Sequence, residues 1–85
     1  METRIAVVSI IVENSQAVER LNNILHEYNS YIIGRLGVPY RERGIYVICV
    51  VLDAPNEVIS ALSGKLGMLP NVTAKAVYSK PFPAQ

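Results

Sequence analysis

Two stretches of this chain are apolar at every position that matters, and they restrict the fold more than anything else in the sequence. In residues 4–12, RIAVVSIIV, Ile5, Val7 and Ile11 fall on one side of an extended chain and Ala6, Val8, Ile10 and Val12 on the other. In residues 45–52, IYVICVVL, Ile45, Val47, Cys49 and Val51 back onto Tyr46, Ile48, Val50 and Leu52. β-branched runs of this kind read as strands, and a strand that is apolar on both faces is buried on both. Each therefore belongs in the middle of a sheet with something packed above and below it.

The rest of the chain supplies cover for one of those faces. Val18, Leu21, Ile24, Leu25 and Tyr28 recur at helical spacing, with Glu19, Arg20, Asn22, Asn23, His26 and Glu27 on the opposite side. Asn14 or Ser15 is placed to cap this helix, and Asn29-Ser30 ends it. Residues 31–38, YIIGRLGV, read as a second strand weakened by Gly34 and Gly37. Residues 39–44, PYRERG, form a charged turn. Pro55 suits the first turn of a second helix, where its missing N–H is not needed, and Val58, Ile59, Leu62 and Leu66 make that helix's apolar stripe. After a Pro70-Asn71 turn, residues 72–79 read as a last strand. The order βαββαβ predicts an α+β, ferredoxin-like sandwich: a four-stranded antiparallel sheet with two helices on one face. Residues 1–80 make one domain, and 81–85 are expected to be a loose tail.

Two helices on one face leave the other face bare. The chain has 85 residues, 51% of them hydrophobic, and a mean hydropathy of +0.26. Surplus apolar surface on so small a domain predicts a homo-oligomer, a dimer or a tetramer, packed sheet against sheet or edge to edge. A net charge of +1 argues against direct nucleic-acid binding, which needs clustered positive charge. The longest apolar run is far shorter than the roughly 20 residues of a membrane span. Met1-Glu2-Thr3-Arg4 lacks the layout of a secretory signal, so a cytoplasmic protein is expected.

Residues 60–69, SALSGKLGML, resemble a phosphate loop only superficially. G-x-x-x-x-G-K-[ST] would need glycine at Ile59, a hydroxyl at Leu66 and a position at the start of a helix. The stretch instead closes the second helix, with Gly67 placed to take a left-handed stop and Lys65 near the negative helix end. Gly64 costs roughly 1 kcal/mol relative to alanine inside a helix. Close helix packing, a neighbouring subunit or a ligand would each offset that cost.

Simple alternation puts Ile32, Leu36 and Val38 toward the helices, and Tyr31, Ile33 and Arg35 toward the bare face. An arginine buried there would need a carboxylate of the next chain or an anionic ligand; otherwise it reaches solvent. Arg41 and Arg43 flank Glu42 and either hold a small anion or form a solvated hairpin tip. The candidate ligand-binding set is thus Arg35, Arg41, Arg43, Gly64 and Lys65. Cys49 reads as a small core residue and His26 as a surface residue. With one histidine and one cysteine, no catalytic set, cofactor site or single-chain metal site can be assembled. A metal site shared between subunits stays open.

The run Gly34-Arg35-Leu36-Gly37-Val38-Pro39-Tyr40-Arg41-Glu42, together with Ile59-Ser60-Ala61-Leu62-Ser63-Gly64-Lys65-Leu66-Gly67, resembles the small regulators of the iron-only hydrogenase system. The resemblance covers roughly residues 4–80. It implies an ACT-like domain, similar to the C-terminal domain of nickel-responsive regulators, that assembles through its sheets. Two departures limit what carries over. The turn Glu13-Asn14-Ser15-Gln16-Ala17 lacks the glycine usual in amino-acid-binding ACT domains. The several histidines of a nickel sensor, and its ribbon-helix-helix segment, have no counterpart here, so any control of transcription would run through a partner. The expected function is an oligomeric regulatory module binding a small anionic ligand or a partner protein between subunits. Its rivals are an enzyme of the dimeric α+β-barrel kind, with Tyr46 on the bare face, and a purely structural assembly module.

Overall fold

The computed structural model describes residues 2–80; the expected tail, 81–85, lies outside the described residues. Strand β1 spans Arg4–Val12, helix α1 Ala17–Glu27, β2 Ile32–Tyr40, β3 Ile45–Ala54, α2 Asn56–Gly67 and β4 Val72–Tyr78. Short 3-10 turns at Asn29–Tyr31 and Arg41–Arg43 lead into and out of β2. The sheet order is β2-β3-β1-β4, and all three pairings are antiparallel. The two doubly apolar strands therefore occupy the centre, and the fold is the ferredoxin-like α+β sandwich.

The core is the helix side of the sheet. Ala6, Val8, Ile10 and Val12 of β1 and Ile48, Val50, Leu52 and Ala54 of β3 are buried against Leu21 and Leu25 of α1 and Ile59, Leu62 and Leu66 of α2. No polar or charged residue is buried with them among the described residues. Shape and apolar area, rather than any internal polar network, hold the helices on the sheet.

The ends of the elements follow local chemistry that differs in detail from the expected pattern. The Asn14 carboxamide accepts the Gln16 N–H at 3.0 Å, an Asx turn, and helix α1 then starts at Ala17 with no side-chain cap. Pro55 stands just before α2 in an extended conformation, with φ −59° and ψ 150°, and its carbonyl accepts the N–H of Val58 and of Ile59. Gly67 does not stop α2 in a left-handed turn. The last turn tightens instead, with Leu69 N–H donating to the Leu66 carbonyl, and the left-handed residue is Asn71 at φ 59°.

Strand β2 carries the largest departure. Ile32 pairs with Leu52 but Gly34 pairs with Val51, so β2 advances two residues while β3 advances one. Ile33 is the extra residue of a β-bulge, and a bulge reverses the alternation beyond it. Arg35 then lies opposite Val50, whose side chain is on the helix side, and Leu36 and Val38 lie opposite Cys49 and Val47 on the other. The expected faces of Arg35, Leu36 and Val38 are therefore exchanged: Arg35 points toward the helices, and Leu36 and Val38 point away from them.

Gly37 has a separate reason to be glycine. It pairs with Ile48 and lies under the Tyr46 ring. A Cβ built at Gly37 would come within 3.2 Å of two Tyr46 ring carbons and closer still to its hydroxyl oxygen. Any side chain at 37 must displace Tyr46. Gly37→Ala is expected to push the half-buried Tyr46 ring aside and lower stability by about 1 kcal/mol, the low end of an overpacking cost. In a Tyr46→Leu background the same substitution should cost distinctly less, as read from urea melts in a double-mutant cycle. Equal costs in both backgrounds would assign the effect to the backbone instead.

Candidate functional site

Two surfaces distinguish this domain, and they meet at one end of the sheet. The first is the sheet face that no helix covers. Its rows, read across β2-β3-β1-β4, are Gly34–Val51–Val7–Val77, Leu36–Cys49–Ser9–Lys75 and Val38–Val47–Ile11–Thr73. Tyr40 and Ile45 close one end, and Asp53 and Ile5 the other. Leu36 is 62% exposed, Val77 65% and Val38 48%. Among the described strand residues, the charged side chains on this face are Asp53, near the end of β3, and Lys75, on the edge strand. The charges lie at the margin, and Ser9 is the polar residue on the two central strands of this face away from its ends. Cys49 is half-buried on this face rather than in the helix-side core.

The second surface is a pocket of about 210 Å³ where the β2–β3 hairpin meets the start of α1. Val12, Ser15 and Val18 line it from one side, and Tyr40, Arg41 and Ile45 from the other, over the Tyr46 ring. Because the sheet ends here, its wall includes residues of both faces: Val12 and Tyr46 from the helix side, Tyr40 and Ile45 from the bare side.

The five residues singled out in the sequence do not converge. Arg35 donates to the Asn22 Oδ1 at 3.0 Å, midway along α1. Lys65 lies at the far end of that helix, with its Nζ 3.3 Å from Glu27 Oε2 and 5.1 Å from the centre of the Tyr28 ring. Arg41 lines the pocket at the helix start, and Arg43 lies on the exposed hairpin turn. An 11-residue helix is about 16 Å long at 1.5 Å per residue, so one small ligand cannot touch all three stations. Gly64 is exposed, and a Cβ added there would meet nothing within 4 Å. Packing within the chain is thus not what favours glycine at 64.

The pocket itself was missed in the sequence, apart from Arg41. Its walls come from the first turn and the hairpin, which are distant in the chain. Among the described residues, no group of three or more His, Cys, Asp or Glu side chains is placed to hold a metal ion. His26 is exposed on α1. Tyr46, the side chain that an enzyme of the α+β-barrel kind would need on the bare face, faces the helices instead.

Residues 4–76 match the TM1266-like family, described as "Iron-only hydrogenase system regulator, putative". The chain belongs to this family. The solved structure of uncharacterized protein TM1266 from Thermotoga maritima is 38% identical, with a TM-score of 0.89 over 93% of this chain and 100% of that one. No curated protein matches. Family membership covers both surfaces, since the matched span runs from the start of β1 into β4.

Two of these positions make direct predictions. Gly64→Ala is expected to stabilise the isolated chain by about 0.5–1 kcal/mol, the helix-propensity difference, in urea melts at low protein concentration. A loss of stability that appears only at protein concentrations where copies associate would mean that a neighbouring copy fills the space. For Lys65, the Tyr28 phenol and then the Glu27 carboxylate favour the charged ammonium and raise its pKa above the ordinary 10.5. A raised folded-state pKa means that the contact contributes fully below the unfolded value and is lost as pH climbs through the folded one. Lys65 is therefore insensitive to pH near neutrality, and its contact with Tyr28 and Glu27 fades only in the alkaline range above 10.5. In NMR titrations Tyr28→Phe and Glu27→Gln should each lower the Lys65 pKa. A Lys65 pKa unchanged in both variants would show the pair to be broken in solution.

Proposed function

We propose that this member of the hydrogenase-regulator family is a non-enzymatic module that pairs with a second copy of itself through the bare sheet face, and that it responds to a small anionic ligand bound beside that contact. The observation that carries this reading is the composition of the face. Leu36, Val38, Val47, Val51, Val7, Ile11, Ile5 and Val77 form an apolar surface at strand spacing, joined through Leu36 and Cys49 and interrupted on the β1–β4 side by Ser9 and Lys75. Four strands about 4.8 Å apart, and about seven residues at 3.3 Å each, span on the order of 440 Å² of flat area. A largely apolar patch of about 300–600 Å² is often functional, and its extent on so small a domain supports its use as a contact surface.

Face-to-face pairing suits the molecule better than pairing along an edge. The β2 edge is broken by the bulge at Ile33 and by Pro39, which has no N–H to donate, and both devices discourage strand addition. A symmetric pair places identical apolar rows against each other, the self-complementary arrangement of a two-fold dimer. A regulatory rather than catalytic role fits the family description and the lack of any assembled nucleophile, base and acid among the described residues. A cytoplasmic location is part of the same proposal. No helix among the described residues is long and apolar enough to cross a membrane.

Sedimentation velocity and native mass spectrometry test the pairing. The wild-type chain is expected to be a dimer or larger at micromolar concentration. Leu36→Asp, at an exposed position that the fold itself does not need, should give a monomer with an unchanged circular-dichroism spectrum. The Cys49 thiol should react slowly with a thiol reagent in the wild type and faster in that variant. A wild-type monomer at micromolar concentration would sink the reading.

A further inference from the structure

We infer that the pocket between the β2–β3 hairpin and the first turn of α1 binds a small monocarboxylate with a short branched or straight aliphatic body, held by Arg41 at the rim. This assigns a chemical class to the ligand of the regulatory module proposed above, and to that extent rests on it.

Size sets the first limit. At about 210 Å³, the pocket has room for on the order of seven water volumes. That is below the usual 300–1,000 Å³ of sites for drug-sized molecules, so a nucleotide or dinucleotide is excluded from lying within it. The walls set the second limit. Val12, Val18, Pro39, Ile45 and the Tyr46 ring present carbon to the interior, and a polar body placed there would lose its water without gaining hydrogen bonds.

Charge sets the third. Arg41 is the one charged residue of the lining, and among the described residues it forms no ion pair. Guanidinium offers a planar pair of donors that matches a carboxylate. The helix start does not compete for the anion. The Gln16 N–H already donates to Asn14 Oδ1, Ala17 N–H to the Asn14 carbonyl and Val18 N–H to the Ser15 carbonyl. The exposed Ser15 offers a hydroxyl on the α1 side of the rim, and on the hairpin side the Tyr40 hydroxyl donates to Glu42 Oε2 at 3.4 Å. An apolar body with a single anionic end is the chemistry that satisfies all three limits.

The test uses 3-methylbutanoate as probe and 3-methylbutan-1-ol as its neutral counterpart, followed by amide chemical shifts of the full chain. Saturable shifts are expected at Ser15, Val18, Gly44 and Tyr46, with a dissociation constant at or below about 10 mM. Arg41→Gln should weaken binding of the acid about tenfold, equivalent to about 1.4 kcal/mol, and leave the alcohol unaffected. Ser15→Phe, at an exposed rim position outside the core, should block both. No saturable shift in the wild type, equal binding by Arg41→Gln, equal affinity for acid and alcohol, or shifts confined to the bare sheet face would each overturn the assignment. Sedimentation of the same samples separates the two readings. An intact dimer without binding removes the carboxylate site alone, and a monomer that binds removes the pairing alone.

Discussion

The structure depends on two central strands that are apolar on both faces while the chain supplies helices for only one. On the helix side, β1 and β3 give up eight buried side chains to a core that, among the described residues, contains no polar side chain. Hydrophobic burial is non-directional, so such a core fixes layers and spacing but leaves specificity to the strand register. On the other side the same two strands present Val7, Ile11, Val47 and Val51 to a surface that nothing in the chain covers. The fold and the bare apolar face are thus two consequences of one sequence property, and a substitution that made that face polar would leave the helix-side core intact.

Register, in turn, depends on one residue. The bulge at Ile33 decides which side chains of β2 join the bare face. With it, Leu36 and Val38 extend the apolar rows of β3 and β1 to the edge of the sheet. Without it, Arg35 would stand in the middle of that surface and Leu36 would press on α1. The bulge therefore moves the single charge of β2 out of the apolar face and onto Asn22 of the first helix. A bulge is a local irregularity with a long-range effect, because strand periodicity is two and one extra residue inverts everything after it.

What could be read from the sequence follows the same division. The order of elements, the central position of β1 and β3, the apolar stripes of both helices and the exact span of β1 were legible, because each is a periodic signal within one segment. The faces of β2 were not, because alternation says nothing about where it is interrupted. Gly34 and Gly37 were the available clue. A glycine in a strand marks a bulge or a close approach, and here one lies beside the bulge and the other under the Tyr46 ring. Gly67 misled for a different reason: a glycine near a helix end permits a left-handed stop but does not require one, and Asn71 took that conformation instead. The pocket was invisible because its walls join the β1–α1 turn to the β2–β3 hairpin, and no local pattern encodes their meeting.

Tyr40 and Ile45 belong to both surfaces: they line the pocket, and they close one end of the bare face. A group that fills the pocket must touch side chains that a second subunit would also touch. Under linkage, whatever preference such a ligand has for the paired state is matched by an equal preference of the paired state for the ligand. The size of that coupling is bounded by the differential contact made at Tyr40 and Ile45, because a ligand that contacts both states equally shifts nothing. The end of the hairpin is where a ligand in the pocket and a second subunit on the face would share side chains.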